Sequence, residues 1–310
     1  MSSVSYTFIM IALIIPIIIG LTYILANKEK GNLVEYQKSS NYEFAKLSHG
    51  LTAYKQFGSK DNTPIIVIHG ATLPSEGFIG FCEGLGQKGY WVICYDQYGR
   101  GFSDRPKIKY DMNLYVTQLN ELINYLSIDN TILYGTSMGA PIAVSYSNKY
   151  PNTILAVGLQ VPLVHIKNTM SSIMKIPFVG NILFRFFGIP FIKNRALEWP
   201  SVNESQKVFI ERYIEQLTLP GTEQSILSSL RNVGSKDFYP SYLNFSKLNI
   251  PVHISYSNDD DEIDPASVRR VLEVTPHAES FIFSGGHGGG AKIVPEIINL
   301  FTKFLAQNLN

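Results

Sequence analysis

The sequence predicts an α/β domain built on a mostly parallel sheet with helices on both faces. Short apolar runs recur along the chain, and segments with helical spacing of apolar residues lie between them. The runs are apolar at nearly every position, as expected of strands that are buried on both faces. Alternating strands and helices favour parallel pairing through helical crossovers. The predicted strands are Pro64–Ile68, Tyr90–Tyr95, Thr131–Tyr134, Leu155–Leu159, Ile250–Tyr256 and Ser280–Phe283.

The first element along the chain is an uncharged apolar segment, Tyr6–Ala26. At a rise of about 1.5 Å per residue, a helix of this length can span a hydrocarbon core of about 30 Å. We therefore expect residues 1–30 to form a single-pass transmembrane anchor and its flank. Lys28 and Lys30 follow the apolar segment and favour a cytosolic location for the domain that comes after it. The alternative is a signal peptide cleaved near Ala26, which would release a secreted domain.

Residues 31–310 are expected to form the α/β domain. A polar connector is predicted from about residue 32 to residue 46, followed by an edge strand, Leu51–Phe57. The alternation of strands and helices fails from about residue 163 to residue 242, where helical patterns occur without a convincing strand. This segment predicts a helical cap, or lid, inserted between the predicted strands Leu155–Leu159 and Ile250–Tyr256. The main helices outside the cap are predicted at Met112–Leu126, Pro141–Tyr150 and Ile293–Leu305.

Charge and cysteine content exclude several classes of partner and cofactor. The 26 basic and 25 acidic residues nearly balance, and no run rich in Lys or Arg occurs, so no nucleic-acid partner is expected. No Cys/His pair has the spacing of zinc ligands, and neither a metal nor an organic cofactor is predicted. Cys82 and Cys94 are interpreted as buried free thiols, without a disulfide framework.

The pentapeptide Gly135-Thr136-Ser137-Met138-Gly139 is the strongest chemical signal in the sequence. A predicted strand precedes it and a predicted helix follows it. Small residues on either side of the serine allow a strand to turn sharply into a helix, which exposes the hydroxyl at the end of the sheet. The context therefore predicts that Ser137 is a nucleophile rather than an ordinary loop serine.

Three segments together resemble the α/β-hydrolase superfamily. Pro64–Gly70 is similar to the family's strand followed by His-Gly, and Tyr95–Pro106 resembles its D-x-x-G-x-G-x-S loop. Ile132–Pro151 resembles the family's nucleophile strand, elbow and helix. The resemblance extends from about Leu51 to the C-terminus and is weakest in the predicted cap. It implies an α/β-hydrolase fold with a helical lid and the activity of a serine hydrolase, in a layout similar to that of monoacylglycerol lipases.

A serine hydroxyl becomes nucleophilic when a neighbouring base removes its proton. The resemblance implies that His287 is this base, because it lies in a glycine-rich loop after the last predicted strand. His69, in the His-Gly turn, is expected to have a structural role. The orienting acid should follow the strand Ile250–Tyr256, and spacing leaves two candidates. Counting forward along the strand to the family's acid position gives Asp260, which we favour. Counting back from Pro265 with the spacing D-x-x-x-P gives Asp261.

The remaining parts of the site are backbone groups and a supporting loop. The N–H groups of Ala71 and Met138 are expected to form the oxyanion hole. Arg100 and Asp104 are expected to brace the loop that follows the strand Tyr90–Tyr95. The other carboxylates near Asp260 are interpreted as solvated turn residues.

The predicted activity is hydrolysis of carboxylic esters through a Ser-His-Asp triad and an acyl-enzyme. An apolar cap and a membrane anchor favour lipid esters such as monoacylglycerols over other small-molecule esters. Hydrolysis of small esters, amides, thioesters or C–C bonds stays open, because one triad serves all of these reactions. A hypothesis of another class is a slow, hydrolase-like binding protein or receptor, which a turnover number would distinguish from an efficient enzyme.

Overall fold

A computed structural model describes residues 3–166, 172–199 and 204–309 of the chain. Its centre is an eight-stranded sheet with the order β1-β2-β4-β3-β5-β6-β7-β8. Strands β3 to β8 pair in parallel, whereas β1 and β2 are antiparallel to their neighbours. The strands are β1 Glu43–Leu47, β2 Gly50–Phe57, β3 Pro64–Ile68, β4 Trp91–Tyr95, β5 Thr131–Thr136, β6 Ile154–Gln160, β7 Val252–Ser257 and β8 Glu279–Phe283.

All seven strands that the sequence predicts are present, and the predicted mostly parallel sheet is confirmed. The predicted connector between residues 32 and 46 is wrong in part, because it contains a short helix and most of β1. Strand β1 pairs with β2 and takes the edge position that the sequence assigned to β2. Only Ala45 of β1 is buried, so this strand lacks the apolar run that reveals the others.

Helices lie between the strands and after the last strand, as an α/β fold requires. Short 3₁₀ or π segments extend several of them, including the π segments Phe184–Gly188 and Leu230–Gly234. The α-helices are α1 Ser3–Leu25, α2 Leu33–Lys38, α3 Ile79–Gln87, α4 Met112–Tyr125, α5 Gly139–Lys149, α6 Ser172–Lys175, α7 Val179–Leu183, α8 Ile189–Leu197, α9 Glu204–Gln216, α10 Thr222–Ser229, α11 Tyr239–Phe245, α12 Pro265–Val274 and α13 Val294–Asn308.

The core has two parts, one on each face of the sheet. Successive side chains of a strand point to opposite faces. Ile66 and Ile68 of β3 accordingly pack in a cluster that includes residues of α4 and α5. Ile65 and Val67 pack in the other cluster, with residues of α3 and α13. Because both faces are covered, every residue of β4 and β5 is buried, which explains the apolar runs Trp91–Tyr95 and Ile132–Tyr134.

The chain divides into two compact units. The larger unit is Leu33–Met170 with Gln224–Asn310, and it contains the whole sheet. The smaller unit is Met1–Asn32 with Ser171–Glu223, and it contains α1 and α6 to α9. Residues 1–2 of the predicted anchor and residues 167–171 and 200–203 of the predicted cap lie outside the described residues.

One partly buried cation, Arg185, joins distant segments of the smaller unit. The guanidinium of Arg185 lies 3.6 Å from the ring centroid of Tyr23, and its Nη1 donates to the Tyr23 carbonyl oxygen at 2.8 Å. Its Nε donates to Glu223 Oε2 at 2.7 Å. Glu29 accepts hydrogen bonds from the N–H groups of Gly221 and Glu223. These contacts attach the C-terminal end of α1 and its following loop to the helices between β6 and β7.

The prediction of a transmembrane anchor at residues 1–30 is not confirmed. A membrane-spanning helix needs about 20 consecutive, predominantly apolar residues. Within the described ranges, no helix combines the length and the apolar character that crossing a membrane requires.

Candidate active site

Ser137 lies at the sharp turn between β5 and α5. Its φ is +54°, a left-handed conformation that costs a non-glycine residue about 1 kcal/mol or more. The flanking glycines are required because a Cβ on Gly139 would clash with the backbone carbonyl oxygens of Ile68 and His69. A Cβ on Gly135 would meet the backbone of Gly139 and Ala140. The G-x-S-x-G spacing therefore produces the close packing of strand and helix that presents the Ser137 hydroxyl.

His287 connects this hydroxyl to a carboxylate. The loop between β8 and α13 brings its Nε2 to 3.0 Å from Ser137 Oγ, and its Nδ1 to 2.9 Å from Asp260 Oδ2. An ionised carboxylate only accepts hydrogen bonds, so Nδ1 carries the proton and Nε2 is the acceptor that faces the hydroxyl. The structure thus brings together the three side chains that the sequence proposed, in the order nucleophile, base and acid.

Asp260 is held as an anion in a buried position. Burial alone would raise the pKa of its carboxyl group, but the hydrogen bond and the charge interaction with His287 oppose this effect. The N–H groups of Ile263 and Glu262 contribute further, by donating to Oδ1 at 2.9 and 2.8 Å. The net result is a lowered pKa, so the carboxylate is ionised at neutral pH.

Asp261, the other candidate acid, does not reach the imidazole ring. Its Oδ1 accepts a hydrogen bond from the backbone N–H of His287 at 3.3 Å. Glu262 lies nearer to the reacting end of the ring, with Oε2 at 3.9 Å from Nε2. Asp259 is exposed in a turn, as the sequence interpretation of the remaining carboxylates predicted, and it also accepts hydrogen bonds from Ser257 and from the His287 loop.

The predicted oxyanion donors lie beside the serine. Met138 follows Ser137 directly and caps α5. Gly70 packs so closely that a Cβ placed on it would be 3.3 Å from Ser137 Cβ, so the peptide that links Gly70 to Ala71 adjoins the hydroxyl. Within the described part of the chain, neither the Ala71 nor the Met138 N–H donates a hydrogen bond to a backbone acceptor. Both groups are therefore able to stabilise a developing oxyanion.

His69 fixes the orientation of one of these donors. Burial lowers the pKa of its imidazole to about 3, so the ring is neutral. Its Nε2 accepts from the Gln97 N–H at 2.9 Å, and its Nδ1 therefore donates to the Gly70 carbonyl oxygen at 2.8 Å. That carbonyl and the Ala71 N–H belong to one planar trans peptide and point in opposite directions. Anchoring the carbonyl therefore directs the N–H of Ala71.

Arg100 supports the next peptide of the same loop. Its Nε donates to the Ala71 carbonyl oxygen at 2.5 Å, and its two terminal nitrogens donate to the hydroxyls of Ser225 and Ser229 at 3.0 Å. The sequence predicted that Arg100 and Asp104 brace the loop. Asp104 does so by accepting from the Leu51 N–H at 2.7 Å. The contact between Arg100 and Ala71 extends the bracing to the oxyanion loop.

No group of three or more His, Cys, Asp or Glu side chains within the described residues is arranged to hold a metal ion.

The fold is that of an α/β hydrolase. The family profile described as alpha/beta hydrolase fold matches residues 63–196, which include Ser137 and its turn. Together with curated relatives of the same class, this match identifies the chain as a member of the α/β-hydrolase superfamily.

Individual relatives show how far the similarity extends. The chain is 23% identical to Lipase 3 of Moraxella sp. strain TA144 over 306 residues, which cover 90% of each protein. It is 33% identical to 2-(acetamidomethylene)succinate hydrolase of Mesorhizobium japonicum over 99 residues, which is 32% of this chain and 35% of that protein. An enol-lactonase from Burkholderia xenovorans LB400 superposes with a TM-score of 0.71 at 17% identity, covering 85% of this chain and all of that one. The chain thus matches about a third of the length of some curated relatives.

Proposed function

We propose that the chain is a serine hydrolase that cleaves carboxylic esters, with lipid esters such as monoacylglycerols as its substrate class. The observation that carries this proposal is the hydrogen-bonded series from Ser137 through His287 to Asp260. A neutral imidazole whose Nδ1 proton is held by a carboxylate can accept the serine proton at Nε2. The same carboxylate stabilises the imidazolium that results.

The proposed reaction has two halves. Ser137 Oγ attacks the ester carbonyl while Nε2 of His287 takes its proton, and the Ala71 and Met138 N–H groups stabilise the oxyanion. The imidazolium then gives its proton to the departing alcohol, which leaves an acyl-enzyme. Water, deprotonated at the same nitrogen, attacks the acyl group and releases the carboxylic acid and the free serine.

Two observations favour a lipid ester over a small one. In the smaller unit, Phe178, Phe187 and Phe191 remain 62%, 65% and 65% exposed. Exposed apolar side chains in one segment mark a surface that contacts lipid, ligand or protein. One relative that aligns over 90% of its length carries the name Lipase 3. Both observations agree with a substrate that contains an acyl chain.

The test compares the wild-type chain with Ser137→Ala and with Ser59→Ala, a control that removes a hydroxyl from an exposed turn. Hydrolysis is measured on acetyl to oleoyl esters, including a monoacylglycerol. We expect turnover that increases with acyl length, persists in Ser59→Ala and is lost in Ser137→Ala. Turnover limited to short esters would contradict the lipid assignment but leave the mechanism. A folded chain without turnover on any ester would contradict the proposed activity.

A further inference from the structure

Three consecutive aspartates, Asp259 to Asp261, lie one residue after β7, and Asp260 accepts the hydrogen bond from the imidazole of His287. We propose that Asp259, assisted by Asp261, is a positioning residue that holds the backbone of the His287 loop so that the imidazole reaches Ser137. This inference rests on the proposed roles of Ser137 and His287. In this role Asp259 acts on the backbone of the His287 loop rather than on the imidazole ring.

The carboxylate of Asp259 accepts hydrogen bonds from two successive residues of the His287 loop. Its Oδ1 accepts hydrogen bonds from the N–H groups of Gly285 at 2.9 Å and Gly286 at 3.1 Å. Its Oδ2 lies 3.1 Å from the Gly285 nitrogen, so that N–H is shared by both oxygens. The hydroxyl of Ser257, the last residue of β7, donates to Oδ1 at 2.5 Å. The carboxylate therefore links the end of one strand to the two residues that precede His287.

These bonds involve an ionised acceptor. The Ser257 hydroxyl, followed by the Gly286 and Gly285 N–H groups, lowers the pKa of Asp259 to about 2. The carboxylate is consequently an anion at neutral pH, and hydrogen bonds to an ionised acceptor are about twice as strong as neutral ones.

The loop needs such a constraint because of its sequence. Gly285 and Gly286 have φ values of +117° and +70°, which residues with a side chain rarely adopt. Glycine loses more conformational freedom on folding than any other residue. Gly285 and Ser284 are exposed, so apolar packing does little to order this part of the chain. Hydrogen bonds to the backbone are then the main interactions that hold the backbone of His287 in position.

Asp261 acts one residue further along the loop. Its Oδ1 accepts from the His287 N–H at 3.3 Å, a longer contact than those of Asp259. On the other side, Asn258 N–H donates to the Phe283 carbonyl oxygen at 3.0 Å, and Ser284 Oγ donates to Asn258 Oδ1 at 3.0 Å. Hydrogen bonds made by residues 258, 259 and 261 therefore extend the pairing of β7 with β8 as far as His287.

The position of the His287 loop should affect the catalytic rate. A displacement of about 1 Å at a catalytic group can cost about 100-fold in rate. The 3.0 Å separation between His287 Nε2 and Ser137 Oγ depends on where the loop places the histidine backbone. Removing the Asp259 carboxylate should broaden the positions of the imidazole without changing the groups that bind substrate.

The test uses the full chain carrying Asp259→Ala or Asp259→Asn, with Asp129→Asn as the control for loss of one exposed acid. Two quantities are measured: the rate constant for labelling by a fluorophosphonate, and kcat and KM on p-nitrophenyl butyrate. We expect Asp259→Ala to lower the labelling rate and kcat about tenfold with little change in KM, because transition-state geometry is lost rather than uniform binding. Asp259→Asn keeps the shape and one acceptor oxygen, so a smaller loss is expected, and the control should match wild type.

A second measurement separates positioning from general damage. If Asp259 acts through His287, then Asp259→Ala adds no further loss in a His287→Ala background. An equal loss in both backgrounds overturns the inference, as does an Asp259→Ala chain that labels at the wild-type rate. Asp259→Asn gives the same comparison if the alanine variant does not fold. A wild-type chain that resists labelling would instead contradict the proposed Ser137 and His287 roles, on which the inference depends.

Discussion

Asp260 and His287 are joined by a hydrogen bond of 2.9 Å between Oδ2 and Nδ1. The second oxygen of the same carboxylate accepts hydrogen bonds from the backbone N–H groups of Glu262 and Ile263. The acid is therefore fixed by its own loop before it orients the imidazole. Asp261 lies next to it in sequence but meets only the backbone of His287.

Asp260→Asn and Asp261→Asn should have very different effects on catalysis. An amide at position 260 disturbs the tautomer that faces Ser137, and loss of the equivalent group in a Ser-His-Asp triad lowers kcat by about 10⁴-fold. We expect Asp261→Asn to remain within about tenfold of wild type, since only one long backbone contact is altered. Steady-state hydrolysis of p-nitrophenyl butyrate, with circular dichroism to verify folding, measures both. The reverse ranking would transfer the role of the orienting acid to Asp261.

The left-handed backbone of Ser137 predicts an unusual order of stability. Because φ is +54°, Ser137→Gly should unfold with a free energy about 1 kcal/mol higher than Ser137→Ala. Ser145 lies within α5 and gives the opposite expectation, since glycine is about 1 kcal/mol less favourable than alanine inside a helix. Urea unfolding of the four variants measures both differences. The same order at both positions would argue against backbone strain at Ser137.

Acid should destabilise the fold through buried neutral histidines. Burial lowers the pKa of His253 to about 4 from 6.5, although the Glu279 carboxylate opposes this effect. Between these values the unfolded chain binds more protons than the folded one, so stability is lost as the pH falls from 6.5 towards 4. A shift of this size corresponds to about 3 kcal/mol.

His253→Phe should reduce this loss of stability in acid. The side chain lies among Phe301 and Phe304, and its Nδ1 has no hydrogen-bond partner in the described chain, so a phenyl ring fits the environment. Urea unfolding near neutral pH and near pH 4 should show a shallower decline than in wild type. His277→Gln, at an exposed position, serves as the control and should leave the decline unchanged. An unaltered decline in His253→Phe would assign the effect to other groups, His69 among them.

Arg185 should stabilise the attachment of the segment that follows α1. Its side chain and that of Glu223 are 11% and 9% exposed, and removing one partner of such a pair costs about 3 kcal/mol or more. Burial already raises the pKa of Glu223, although Arg185 opposes this effect, so the acid would lose its main counter-charge. We expect Arg185→Met to speed tryptic cleavage at Lys28 and Lys30 about tenfold or more, whereas Lys193→Met, at an exposed position, should not. Equal cleavage rates would show that the other contacts suffice.

Local sequence patterns were sufficient for the central strands and for the turn at Ser137. A strand that is buried on both faces must be apolar throughout, and a strand that turns at once into a helix needs small residues there. Both requirements concern a few neighbouring residues, so they can be recognised in the sequence. Strand β1 was missed because it lies at the edge and buries only Ala45. The apolar N-terminal segment predicted a membrane span that the described helices do not provide.

The sequence by itself determined the mostly parallel α/β sheet and the sharp turn at Ser137, because both depend on residue type and short-range spacing, and its resemblance to the α/β-hydrolase superfamily implied the loop position of His287. Only the tertiary structure decided which carboxylate faces the imidazole, since Asp259, Asp260 and Asp261 are identical in chemistry and differ only in direction. It also decided the contact between Arg100 and the oxyanion loop. Such contacts join segments far apart in the chain, and the path of the backbone between them fixes which side chains meet.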